Sequence, residues 1–147
     1  MGLNSQILKL QDEIYEDLER PSKISPTYIS TWLISNVGKL NNLIDGAYTG
    51  ICNSGITPTL GQEESNIHKM LFMKFWYDRE IKSNLGANGY IVESVKEGDS
   101  SINLAKKTEI AKNLQVLSKE LKAEIDQQVH MYRNNNSKSR EVSASEV

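Results

Sequence analysis

Glu64 and His68 are the first residues to test for chemistry. They stand four apart, so a helix would place both on one face. A carboxylate and an imidazole so placed are two ligands of a helix-borne metal site. Such a site needs more ligands, and the Glu-x-x-His spacing of di-iron bundles is missing, because Ser65 stands three residues before His68. The two are therefore expected to be a surface pair. His130 falls near the end of the last helix, where a positive charge suits the helix dipole. Cys52 is the single cysteine, so neither an internal disulfide nor a cysteine-rich zinc site can form. A small, half-buried loop residue is the expected role. No Gly-x-Ser-x-Gly is present to activate a serine. Gly86-x-x-Gly89 is too short for a phosphate loop, and no Walker or dinucleotide fingerprint occurs. Catalysis needs a convergent set of groups and none is visible, so the expectation is a protein without enzymatic activity, cofactor or catalytic metal.

Nucleic-acid chemistry fares no better. Trp76-Tyr77-Asp78-Arg79 has the residue types of a base-stacking surface, but it sits inside an apolar run, where core packing is the expected role. Lys106-Lys107 and Lys138-Ser139-Arg140 are each too short for more than weak phosphate contact. The formal net charge of the 147 residues is −2, which exerts no overall pull toward DNA or an anionic membrane. No stretch approaches the roughly 18 uncharged apolar residues of a membrane helix. The N-terminal MGLNSQILKL lacks both a basic region and a long apolar run, so no signal peptide is expected. Gln6 stands where myristoylation of Gly2 would want Ser or Thr.

The elements that would carry these residues are mainly helices. Asn4 or Ser5 can cap a first helix with apolar positions Ile7, Leu10, Ile14 and Leu18, stopped by Pro21. Ser25-Pro26 is an N-cap followed by a first-position proline. It opens a second helix through Ile44, with Gly46 as the terminating glycine. Gly38, Asn36, Asn41 and Asn42 weaken that helix, which points to a bend or a close approach at Gly38 and to solvated amides elsewhere. Residues 47–57 read as a loop. A third helix starts at Thr57 or Thr59, carries Glu63 and Glu64 in its first turns, and runs through the dense apolar stretch 67–81. Apolar on all sides, it is expected at the centre of the molecule. Gly86 would cap it, and Asn88-Gly89 would turn the chain.

A β-rich run from Tyr90 and a return at Ser101–Leu104 predict a hairpin over 90–105, with its tip at Glu97, Gly98, Asp99, Ser100 and Ser101. Two strands alone are marginal, so the hairpin must lean on the helices or pair with another chain through an open edge, and its tip is expected to touch a neighbour. Thr108 then caps the last long helix. Its stripe is Ile110, Leu114, Leu117, Leu121, Ile125, Val129 and Tyr132, and it ends around Arg133. Residues 134–147 are a polar tail, poor in apolar groups and expected to be disordered when alone in solution. The predicted fold class is thus mainly α: a four-helix body over 1–133, one small β-hairpin before the last long helix, and an extended C-terminal tail.

The run Ser25–Ile44, SPTYISTWLISNVGKLNNLI, together with Tyr77-Asp78-Arg79 and Asn84-Leu85-Gly86-Ala87, resembles small structural proteins of large tailed bacteriophages. The predicted architecture is similar to that of the head-to-tail connector (adaptor, or neck) family. This resemblance implies a virion protein made in the bacterial host cytoplasm. It implies a homo-oligomeric ring of about a dozen copies that docks on the portal protein. A tail or stopper protein would follow it, and DNA would pass through the ring without specific binding. It also implies a portal-binding tail, whose contact residues would be Asn134, Lys138, Arg140, Val142 and Val147. The competing expectation is a small helical regulatory or nucleic-acid-associated module, binding duplex through a basic face on the second or last helix. A third is a helical dimer with the last helix as its seam.

Overall fold

The computed structural model describes the backbone of residues 2–85 and 98–145, and the side chains of residues 2–84 and 108–135. The protein is mainly α, with one small antiparallel hairpin ahead of the last long helix. In chain order the elements are α1 (Ser5–Asp17), α2 (Pro26–Ser35), α3 (Val37–Ile44), β1 (Thr49–Ile51), β2 (Gly55–Thr57), α4 (Gln62–Leu85) and α5 (Gly98–Ser145). They form two compact units: 1–72 with 125–147, and 73–124.

In the first unit the expected caps operate. The Asn4 side chain accepts from the Ile7 N–H at 2.9 Å, and Ser25 accepts from the Tyr28 N–H at 3.3 Å with Pro26 beginning α2. The helix expected over 26–44 is two helices. At Asn36 both the backbone N–H and the side-chain Nδ2 donate to the Trp32 carbonyl at 2.9 Å. An asparagine that bonds its own helix in this way competes with the regular ladder, and α2 gives way to α3 there. Gly38 has open space around it, so no backbone approaches it closely. Asp45, one residue before the expected glycine, takes the left-handed conformation that ends α3 (φ 54°).

Residues 47–57, expected as a loop, contain the hairpin. Thr49 pairs with Thr57, Gly50 with Ile56 and Ile51 with Gly55. The turn closes through Ser54 N–H to the Ile51 carbonyl at 3.0 Å, with Asn53 left-handed at φ 59°. Two glycines let this hairpin press onto the helices. A Cβ on Gly50 would lie 2.2 Å from the Ile34 carbonyl oxygen of α2, and one on Gly55 would lie 2.0 Å from Asn4 Nδ2. Two side-chain amides then clamp the connections. Asn41 accepts from the Tyr48 N–H at 2.9 Å and donates to the Tyr48 carbonyl at 2.8 Å. Gln6 does the same for Leu60, at 3.0 and 2.6 Å. Asn41 is therefore a structural amide rather than a solvated one.

The core of this unit gathers Ile7 and Ile14 of α1, Ile29 and Leu33 of α2, Leu40 of α3, and Ile67 and Phe72 of α4, all fully buried. Trp32 meets Phe72 edge-to-face at 5.3 Å between ring centroids. Helix α4 starts at Gln62, later than either threonine, because Gln6 holds Leu60 in the preceding connection. Glu63 and Glu64 do occupy its first turn. The helix is not enclosed on all sides as its composition predicts. Ile67, Phe72 and Trp76 are buried, while Met70, Leu71, Met73, Phe75 and Tyr77 keep partial exposure.

In the second unit, Trp76 of α4 and Ala111 and Ser118 of α5 are buried. Ser118 Oγ donates to Asp78 Oδ1 at 2.6 Å, and Lys74 Nζ donates to Asp78 Oδ2 at the same distance. The buried stripe of α5 is turned by about one residue from the expected one. It follows Ala111, Ser118 and Ile125, with Leu114 and Leu121 half-buried, and leaves Ile110 and Leu117 exposed. The hydrogen bond of Ser118, a polar residue that apolar periodicity passes over, fixes that rotation.

The hairpin expected over 90–105 is not where the strands are. Residues 90–97 lie outside the described residues, and 98–105 form the beginning of α5. Ile102 and Leu104 alternate with polar residues over too few positions to separate strand from helix, whereas Asp99 and Ser100 are good helix-start residues. Thr108 is accordingly inside the helix rather than its cap. The polar segment after Arg133 continues α5 as helical backbone from 134 to 145. Gly86 and Asn88-Gly89, expected as cap and turn, lie outside the described residues.

Candidate functional site

A cavity of about 610 Å³ lies between α2 and the hairpin of the first unit. Its size falls within the range of small-molecule pockets. Thr27, Ser30, Thr31, Ile34 and Ser35 line one wall. Their spacing of three, one, three and one places them along a single face of α2. Gly50, Cys52 and Asn53 supply the opposite wall, and Leu3 and Val37 add apolar surface. Gly50 is what allows the wall to stand so close, since any side chain would meet Ile34. Ser30 Oγ is turned back to the Thr27 carbonyl at 3.0 Å. Every lining side chain is neutral. The cavity can thus accept an uncharged body with hydroxyl or amide contacts. Cys52 is exposed at its edge, not half-buried as expected.

His68 departs most sharply from the sequence reading. Expected in a surface pair with Glu64, it is fully buried. Its Nε2 lies 2.8 Å from the Leu33 carbonyl, its ring lies 5.8 Å from that of Trp32, and Nδ1 has no partner. Burial holds its pKa below the ordinary histidine value, against the opposing pull of the Leu33 hydrogen bond. A neutral imidazole donating from Nε2 fits this setting. The residue ties α4 to α2 and has no second ligand to share a metal with. Among the described residues no group of three His, Cys, Asp or Glu side chains could hold a metal ion. Nor is any described helix long and apolar enough to cross a membrane.

The residues expected to contact partners fall at the two ends of α5. Gly98, Asp99, Ser100 and Ser101 form its first turn, not a hairpin tip, and Glu97 lies outside the described residues. Asn134 is exposed on the helix, with Nδ2 3.3 Å from His130 Nε2. Lys138, Arg140 and Val142 have helical backbone, and Val147 lies outside the described residues. Just before this segment, Arg133 donates from Nε to the Leu43 carbonyl at 2.9 Å and reaches Asp45 Oδ2 at 3.5 Å. That contact satisfies a carbonyl at the C-terminus of α3, where a cation is favoured. Sequence reading marked Arg133 only as a helix end.

Large apolar exposure concentrates on α5. Ile110 (49 %), Val116 (55 %), Leu117 (42 %) and Met131 (49 %) account for four of the six most exposed large apolar side chains among the described residues. Neither a protein-family model, nor a curated protein, nor a solved structure matches the chain.

Proposed function

We propose that the protein is a structural subunit of a tailed-phage virion, a connector adaptor. Copies form a ring, dock on the portal protein and link it to the tail, while DNA passes through without specific binding. The protein acts by contact and carries out no reaction. The observation that carries this reading is the surface of α5. A 48-residue helix exposes Ile110, Val116, Leu117 and Met131. Exposed apolar groups gathered on one element are what a docking surface offers. The likeness of Ser25–Ile44 to phage structural proteins supplies the kind of assembly. The segment from Asn134 onward is the portal-contacting end, continuous with the body through the Arg133 anchor.

The test is binding of the purified protein to an isolated portal ring, followed by sedimentation, beside a variant lacking residues 134–147. The reading expects the full chain to co-sediment and the truncated chain to stay folded but unbound. Normal portal binding by the truncation overturns the assignment of the tail. Absence of portal binding by the full chain, together with salt-dependent duplex binding, turns the assignment to a nucleic-acid-associated module.

A further inference from the structure

We propose that neighbouring copies join head-to-tail through α5, the acidic side of one helix against the basic side of the next. This deepens the assembly reading and rests on it for the partner being a second copy.

Between residues 109 and 124 the charges of α5 are sorted by sign into two arcs. Successive residues of an α-helix are turned by about 100°, so Lys112, Lys119 and Lys122 fall within an arc of about 80°. Glu109, Glu120 and Glu124 fall within about 60°, and the two arcs are centred about 120° apart. All six side chains are exposed. None of the six forms an ion pair among the described residues. Asp126 follows Lys122 by one turn and falls inside the same arc, between Lys119 and Lys122, so the basic run ends there. Val116 lies between the arcs, and Ile110 and Leu117 lie on the far border of the acidic one. The acidic side therefore also carries exposed apolar surface that a neighbour would remove from water.

The vertical arrangement sets the register. Glu109 is within three residues of Lys112, Glu120 is next to Lys119, and Glu124 is two from Lys122. At about 1.5 Å of rise per residue, each glutamate has a lysine within about 5 Å of its own height. Two copies standing side by side with α5 parallel and no axial shift thus set three carboxylates opposite three ammonium groups. A closed ring places every copy at one height with its helices parallel and uses such unlike-to-unlike contacts, whereas an antiparallel pair would bring like arcs together. Complementary charge of this kind selects partner and register.

The experiment is light scattering of the full chain, without portal, at about 0.05 M and about 0.5 M salt. Three samples are compared: the wild type, a K112E/K119E/K122E variant and an E109K/E120K/E124K variant. The wild type should self-associate, and about tenfold more weakly at the higher salt. Each variant alone should be monomeric with unchanged circular dichroism. An equimolar mixture of the two should recover the association, because each supplies the charge the other has lost. Association of both variants at wild-type strength, a mixture that stays monomeric, or a wild type that is monomeric at low salt overturns the inference. None of these outcomes bears on portal binding. A wild type that binds portal without self-associating removes this contact alone, and one that self-associates without binding portal removes the portal reading alone.

Discussion

Replacing Gly50 by alanine gives the sharpest check on how the hairpin sits. The new Cβ would lie 2.2 Å from the Ile34 carbonyl oxygen and 3.1 Å from both its carbonyl carbon and Cγ2. An ordinary carbon–oxygen contact is about 3.3–3.6 Å, so β1 and α2 must part by roughly 1 Å. The clashing atom is helix backbone, which has no rotamer to escape into. Overpacking of this kind costs about 1–3 kcal/mol. The separation also opens the cavity wall formed by Gly50, Cys52 and Asn53. Gly38 is the internal control. It sits in α3 with nothing within 4 Å of its would-be Cβ, so alanine there should stabilise by about 0.5–1 kcal/mol through helix propensity. Urea unfolding followed by tryptophan fluorescence would measure both. The two substitutions should have opposite signs. A neutral or stabilising Gly50→Ala, or a destabilising Gly38→Ala, would show that the hairpin does not press on α2 in this way.

Three further outcomes follow from the hydrogen-bonded groups. His68 is neutral in the fold with its pKa depressed by burial, so the unfolded chain binds the extra proton first. Stability should be full above the unfolded value near 6.5 and fall as pH drops below it, a slope that His68→Gln should flatten in urea titrations at successive pH. Asn41→Ala strands both the N–H and the carbonyl of Tyr48 and should cost about 1–3 kcal/mol in the same assay, with m unchanged. Asp78 is partly buried, which disfavours its charge, but hydrogen bonds from Lys74 and Ser118 outweigh that and hold its pKa below the ordinary value. Ser118→Ala should therefore cost about 1 kcal/mol at neutral pH, and the difference from wild type should shrink as pH falls below about 4.

Caps and apolar periodicity were legible in the sequence because they are local. Asn4, Ser25-Pro26 and the Ile7, Leu10, Ile14 face needed no partner to be read. What was missed depends on distant residues. His68 looked like a surface residue because four-residue spacing to Glu64 is visible, while the Leu33 carbonyl that receives it is 35 positions away. The hairpin had a signal, the near-mirror Thr-Gly-Ile and Gly-Ile-Thr around Cys-Asn-Ser, but small turn-forming residues masked it. Its support from Asn4 and Ile34 is tertiary. The rotation of α5 was hidden for the same reason, since a buried serine paired to Asp78 looks polar in isolation. Of the site residues named from sequence, those at the ends of α5 rest on composition, which says that a segment is polar but not what it touches.

Electron cryo-microscopy of the protein mixed with isolated portal rings would show whether this chain docks as a ring on a portal. A connector subunit should appear as extra density capping the portal as a closed ring of copies, with residues 134–147 against the portal surface. Bare portal rings beside free protein, at concentrations well above those of assembly, would contradict it.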